Sequence, residues 1–135
     1  MPYKIRWEGH GVYRHFFGEI SATEFREAYE EMTGDVRYEG TRYIISDYLE
    51  ARPGADLTDS FIGRVAKLER LEYDSGPDIV HATVAAGEEM LAHIRSFETL
   101  PLAPYPERTF ATVAEARQWI VANPRPAWLK ARQPR

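Results

Sequence analysis

The sequence predicts an α/β domain. An N-terminal β-hairpin leads into alternating helices and strands, building a mostly parallel sheet of about five strands with four helices mainly on one face. Three observations predict this. Period-two apolar runs alternate along the chain with runs of helical spacing. Strands separated by helices pair in parallel through crossovers. The 135 residues, 44% of them apolar, make one domain with enough apolar surface for its own core.

Tyr3, Ile5 and Trp7 alternate with Lys4, Arg6 and Glu8, a strand with one apolar and one charged face. Gly9-His10-Gly11 is a turn into a second strand, Val12 to Phe17, so the first two strands form an antiparallel hairpin. Ser21-Ala22-Thr23-Glu24 fits a capping box, and Phe25, Ala28, Tyr29 and Met32 follow at helical spacing. Gly34 reads as a left-handed C-cap, followed by a polar loop from Asp35 to Thr41. The third strand spans Arg42 to Leu49, with a wide loop at Ala51-Arg52-Pro53-Gly54-Ala55.

A long helix is expected from about Asp56–Asp59 to Tyr73, on the stripe Leu57, Phe61, Val65, Leu68 and Leu71, stopped by Asp74-Ser75-Gly76-Pro77. Ile79 to Ala86 is the fourth strand, and Gly87 turns into a helix carrying Met90, Leu91, Ile94 and Phe97. Three prolines between Pro101 and Pro106 make an extended connection to a short strand, Arg108-Thr109-Phe110. Thr112-Val113-Ala114-Glu115 is a second capping box, and Asn123-Pro124 ends the helix it opens.

The layering follows from the strand faces. A sheet covered on both sides needs continuously apolar strands. Here Lys4 and Arg6 oppose the apolar set of the first strand, and His81 and Thr83 oppose Val80 and Val84 on the fourth. One well-covered and one partly open face is therefore expected, the open one carrying charge, aromatics and His81 with Thr83. That arrangement is a compact β-α superhelix rather than a doubly wound sheet.

Composition narrows the function. No cysteine is present, which excludes disulfides, cysteine nucleophiles and Cys-ligated zinc or iron–sulfur centres. No run approaches the ~20 apolar residues of a membrane span. Met1 to Arg6 has no apolar core of a signal peptide, so a cytoplasmic protein is expected. The net charge of −4 argues against a general nucleic-acid binder. The domain covers residues 1–123; residues 124–135 form a basic, proline-spaced tail. That tail holds four of the 17 bases and none of the 21 acids, leaving the body at −8. Trp128 and Leu129 within the tail are expected to dock on the acidic body or on a second subunit.

Two stretches carry a resemblance to a known family. They are Gly34-Asp35-Val36-Arg37-Tyr38 with Arg42-Tyr43-Ile44-Ile45-Ser46-Asp47, and Arg108-Thr109-Phe110 with Glu115-Ala116-Arg117-Gln118-Trp119-Ile120. With the β-β-α-β-α-β-α-β-α order, the chain resembles the STAS superfamily, the SpoIIAA-like fold of anti-sigma-factor antagonists, over residues 3–122. More narrowly it resembles small stand-alone bacterial STAS/Sec14-like proteins. The resemblance implies a non-catalytic regulatory or protein-interaction module, with a small ligand as a further option. A small enzyme, or a lipid-like apolar-ligand protein with its site at the C-terminal ends of the parallel strands, is the competing class.

The resemblance also implies a phosphorylatable Ser or Thr at the helix N-terminus after the third strand, where a phosphate gains from the helix dipole. Thr58 and Ser60 stand there, without the family's following glycine and beside Asp56 and Asp59, which repel a phosphate; a helix N-cap is the competing role. Ligand-binding candidates are Asp47, near the C-terminal end of a central strand, Glu50 and Arg52 in the loop after it, and His81. Loop 50–56 is the expected site-bearing loop. The competing reading has Asp47 bonded to loop N–H groups and Arg52 solvated.

The four histidines lack metal-ligand spacing, and no phosphate-cradling glycine motif occurs; Gly87 is followed by Glu88 and Glu89, which repel an anion. No metal and no cofactor are expected. Tyr13, Phe16, Phe17, Tyr43, Tyr48, Phe61 and Phe97 could line an apolar pocket, although aromatics at such spacing usually form core. The partly open, aromatic face predicts a two-fold homodimer. An unidentified protein partner or a small ligand is the other expected company.

Overall fold

The computed structural model describes residues 2–58, 60–61, 64–65, 67, 79–98 and 107–122. Its sheet has five strands in the order β1-β2-β3-β4-β5. They are β1 (Tyr3–Glu8), β2 (Gly11–Ile20), β3 (Tyr43–Pro53), β4 (Val80–Val84) and β5 (Glu107–Phe110). β1 and β2 are antiparallel, and each later pair is parallel, as the hairpin and the crossovers require. The helices described in full are α1 (Ala22–Thr33), α2 (Glu88–Glu98) and α3 (Val113–Ala122). Ser60, Phe61, Arg64, Val65 and Lys67 are helical where the remaining helix is expected. The rest of that helix and the tail from residue 124 lie outside the described residues.

Local chemistry shapes the ends of the elements. Ser21 accepts from the Glu24 N–H at 3.1 Å, and the Glu24 carboxylate accepts from the Ser21 N–H at 3.0 Å, so the capping box forms. Gly34 is not left-handed: its φ is −82°, and its N–H continues the helix onto the Glu30 carbonyl at 2.9 Å. The chain then tightens into a 3-10 turn, Val36–Gly40, which Asp35 caps, in place of the expected loop. At α3, Thr112 accepts from the Glu115 N–H at 3.2 Å while its hydroxyl donates to the Glu115 carboxylate.

The core lies between the sheet and α1 with α2. Tyr3, Phe16, Ile20, Ala28, Tyr48, Ala85 and Met90 pack at one end; Val12, Tyr29, Met32, Tyr38, Ile44 and Ile79 pack at the other. Phe16 stacks on Tyr48 at 4.8 Å, and Phe25 lies between Phe16 and Phe61, so these aromatics form core rather than a pocket wall. α3 sits on the opposite face, where Val113, Ala116, Trp119 and Ile120 cover Ile45, Ala82 and Val84.

Two strands run longer than the sequence suggests. β2 continues through Gly18, whose φ is +72°, to Ile20. β3 continues to Pro53, so Glu50, Ala51 and Arg52 are strand rather than loop. β4 pairs with β3 only as far as Asp47. Beyond it no strand among the described residues pairs with that side of β3, so Pro53 meets no demand there for a ladder donor. A bulge makes the extension possible: between the pairs His15–Asp47 and Phe17–Glu50, β2 advances two residues and β3 three.

Candidate functional site

The expected site residues divide between the two faces of the sheet. In a straight strand, Asp47 and Glu50 would point to opposite sides. The bulge at Tyr48 and Leu49 brings both onto the face that α3 only partly covers. Tyr48 packs inward on Phe16, Leu49 takes up the extra residue at the surface, and Glu50 returns beside His15.

On that face the Tyr13 hydroxyl donates to the Asp47 carboxylate, which also accepts from the Leu49 N–H at 3.0 Å. Burial, then the bond to Asp47, pushes the Tyr13 phenol up to about 12. His15 Nε2 lies 3.3 Å from Glu50, and its ring is 5.5 Å from that of Phe17. Arg52 is exposed and reaches Glu19 at 3.9 Å, a loose surface pair. Antiparallel register puts Lys4 opposite His15 and Arg6 opposite Tyr13. A cationic β1, an aromatic β2 and an acidic β3 therefore run side by side. At the edge of α3, Arg117 grips Glu8 at 2.8 and 3.0 Å while the Tyr43 hydroxyl donates to the same carboxylate at 2.7 Å. Those bonds, the one from Arg117 foremost, hold the Glu8 carboxyl down at about 2 despite its partial burial.

His81 lies on the other face. The expectation that His81 and Thr83 line the open side is corrected: both are buried beneath the helices, and the Val80, Ala82 and Val84 side is the one α3 covers. Both faces of β4 are covered, so its alternation could not say which side is open. His81 Nε2 is 2.8 Å from Ser46 Oγ, and Ser46 also receives Arg14 Nε at 3.2 Å and Nη2 at 2.7 Å. Two accepted bonds occupy both lone pairs of Ser46, so its own hydrogen points at His81 Nε2. That fixes the imidazole as the Nδ1–H tautomer. Burial, then the neighbouring Arg14 charge, pushes His81 down to about 3. The ring is neutral at pH 7.

Arg14 is 1% exposed, and its Nη1 is buried with no hydrogen-bond partner. Sequence reasoning missed it, together with Ser46, Glu8 and Arg117. One signal was available for the first two. Arg14 stands between Val12 and Phe16, and Ser46 between Ile44 and Tyr48, on the apolar face of its strand. At the start of the helical stretch, Thr58 Oγ1 accepts from the Phe61 N–H at 3.2 Å, a capping contact, and Ser60 is exposed. Among the described residues no cluster of metal-ligating side chains occurs, and no helix is long and apolar enough to cross a membrane.

The hairpin, the parallel strands and the helices on both faces define a SpoIIAA-like, or STAS, fold. The chain is similar to the unphosphorylated form of the anti-sigma factor antagonist SpoIIAA, with a TM-score of 0.54 at 12% identity over 90% of this chain and 98% of that one. It is also similar to a DUF3478-family protein with a SpoIIAA-like fold from Shewanella loihica PV-4, with a TM-score of 0.52 at 11% identity over 87% and 90%. No family model matches the sequence. No curated protein matches it either.

Proposed function

We propose that this chain is a non-catalytic regulatory module of the STAS type that acts by protein contact through the open part of its sheet. The observation that carries the reading is the row formed by Lys4 on β1, Tyr13, His15 and Phe17 on β2, and Asp47 with Glu50 on β3. The likeness in fold to an anti-sigma factor antagonist supports the regulatory half of the proposal.

The contact is with a second copy of the chain. The face is self-complementary: a two-fold axis through the β2 aromatics lays the Lys4 and Arg6 edge of one copy over the Glu50 edge of the other. Isologous contacts need this kind of pairing. The half-buried rings of His15 and Phe17 supply apolar area at the centre, where interface energy concentrates.

Light scattering on the purified chain tests the proposal. The expected mass is about twice 15.5 kDa, falling to the monomer in Phe17→Asp with the circular dichroism spectrum unchanged. A monomer mass that does not move on concentration overturns it.

A further inference from the structure

We propose that Arg14, with Ser46 and His81 as its floor, binds a small oxyanion, a carboxylate or a phosphate taken end-on by Nη1 and Nη2. The argument begins with charge. A guanidinium cannot lose its proton to escape burial, as a lysine or histidine can. Buried charges are ordinarily paired, because an isolated one loses its hydration without return. Arg14 is buried, and among the described residues it forms no ion pair. Its two neighbours bring no negative charge: Ser46 is a hydroxyl and His81 a neutral imidazole.

Donor geometry then says what would complete the group. A guanidinium has five N–H donors. Ser46 Oγ takes the Nε–H and one Nη2–H, both from the side edge of the fork. The end edge keeps one Nη1–H and the second Nη2–H side by side, and Nη1 has no partner. Two parallel donors at that edge match the spacing of two oxygens on one carboxylate or phosphate. The Ser46–His81 bond fixes the rotation of Ser46 and so holds the fork in place. Phe16, whose ring lies 5.3 Å from the guanidinium carbon, walls one side.

Thermal melts in sodium chloride, sodium succinate and sodium phosphate at matched ionic strength test the site, using the wild type, Arg14→Met and Arg14→Lys. A ligand that binds only the folded chain raises its melting temperature in a saturable way. The expected result is a saturable rise with succinate or with phosphate, and the anion that gives it identifies the chemistry. Arg14→Met is expected to melt higher than the wild type in chloride, since an uncompensated charge is gone, and to lose the saturable rise. Arg14→Lys keeps the charge without the fork and is expected to weaken the response about tenfold or more. Phosphate also stabilises proteins non-specifically by exclusion from their surface, and the Met variant measures that part. The same rise in wild type and Arg14→Met, or no saturable rise with either anion, overturns the proposal.

Discussion

Glu8 and Arg117 stand 109 residues apart in sequence and meet through two hydrogen bonds, at 2.8 and 3.0 Å, that tie the hairpin to the last helix. The pair is two-pronged and partly shielded, and Tyr43 fills a further acceptor position on Glu8. Arg117→Met is expected to cost about 1–2 kcal/mol near neutral pH, the value of a charge-assisted bond after solvent screening. Because the Glu8 carboxyl is held at about 2, its contribution is complete above its ordinary 4.5 and is lost as pH falls toward 2. Melting curves of wild type and variant should therefore differ at pH 7 and converge in acid. Equal melting temperatures at pH 7 would refute the tie.

Tyr13 and Asp47 make a second long-range contact, on the open face. Tyr13→Phe leaves the Asp47 carboxylate with one donor fewer and is expected to cost about 1–3 kcal/mol. The wild-type phenol ionises at about 12, so this contribution is present below pH 10 and fades as pH rises through 12. Ultraviolet titration should show Tyr13 among the late-ionising tyrosines, and the Phe variant should lack one late transition. An unaltered titration curve would contradict the bond.

His81 provides a test in the opposite direction of pH. The folded chain keeps it neutral down to about 3, whereas the unfolded chain protonates it near 6.5. The unfolded state binds more protons in between, so stability falls as pH drops through that window, by up to about 1.4 kcal/mol per pH unit. The facing charge is Arg14, which works in the same sense as burial. His81→Gln should lose this part of the slope between pH 6.5 and 5. Nitrogen NMR of the wild type should find the Nδ1–H tautomer at pH 5; a proton on Nε2, or an imidazolium, would refute the arrangement.

Gly11 offers a purely steric check. A Cβ there would fall about 2.0 Å from the Tyr43 ring, which is held by its bond to Glu8. Gly11→Ala must displace the ring and break that bond, at about 1–3 kcal/mol, the usual range for overpacking. In the Tyr43→Phe background, where the bond is already gone, the added cost should be smaller. Equal costs in both backgrounds would show that the ring moves without losing Glu8.

The sequence alone determined what rests on neighbours a few residues apart. The hairpin, the capping box at Ser21, the N-cap at Thr112, the strand and helix order and the single antiparallel pairing were all legible, because periodicity and capping are local properties. At Thr112 the Glu115 carboxylate takes the hydroxyl instead of the backbone N–H, so the box itself does not close. Tertiary structure decided what depends on residues distant in the chain. The strand order needed pairing across long separations. The β3 bulge needed β2 as a template, and without it Asp47 and Glu50 would not share a face. The burial of both faces of β4 needed α3, which begins about thirty residues later and covers the Ala82 and Val84 side, so the side taken by His81 could not be read from β4 itself. Arg14 came to lie in the interior because its strand neighbours Val12 and Phe16 are core residues, and a period-two strand cannot bury those two while turning the residue between them outward.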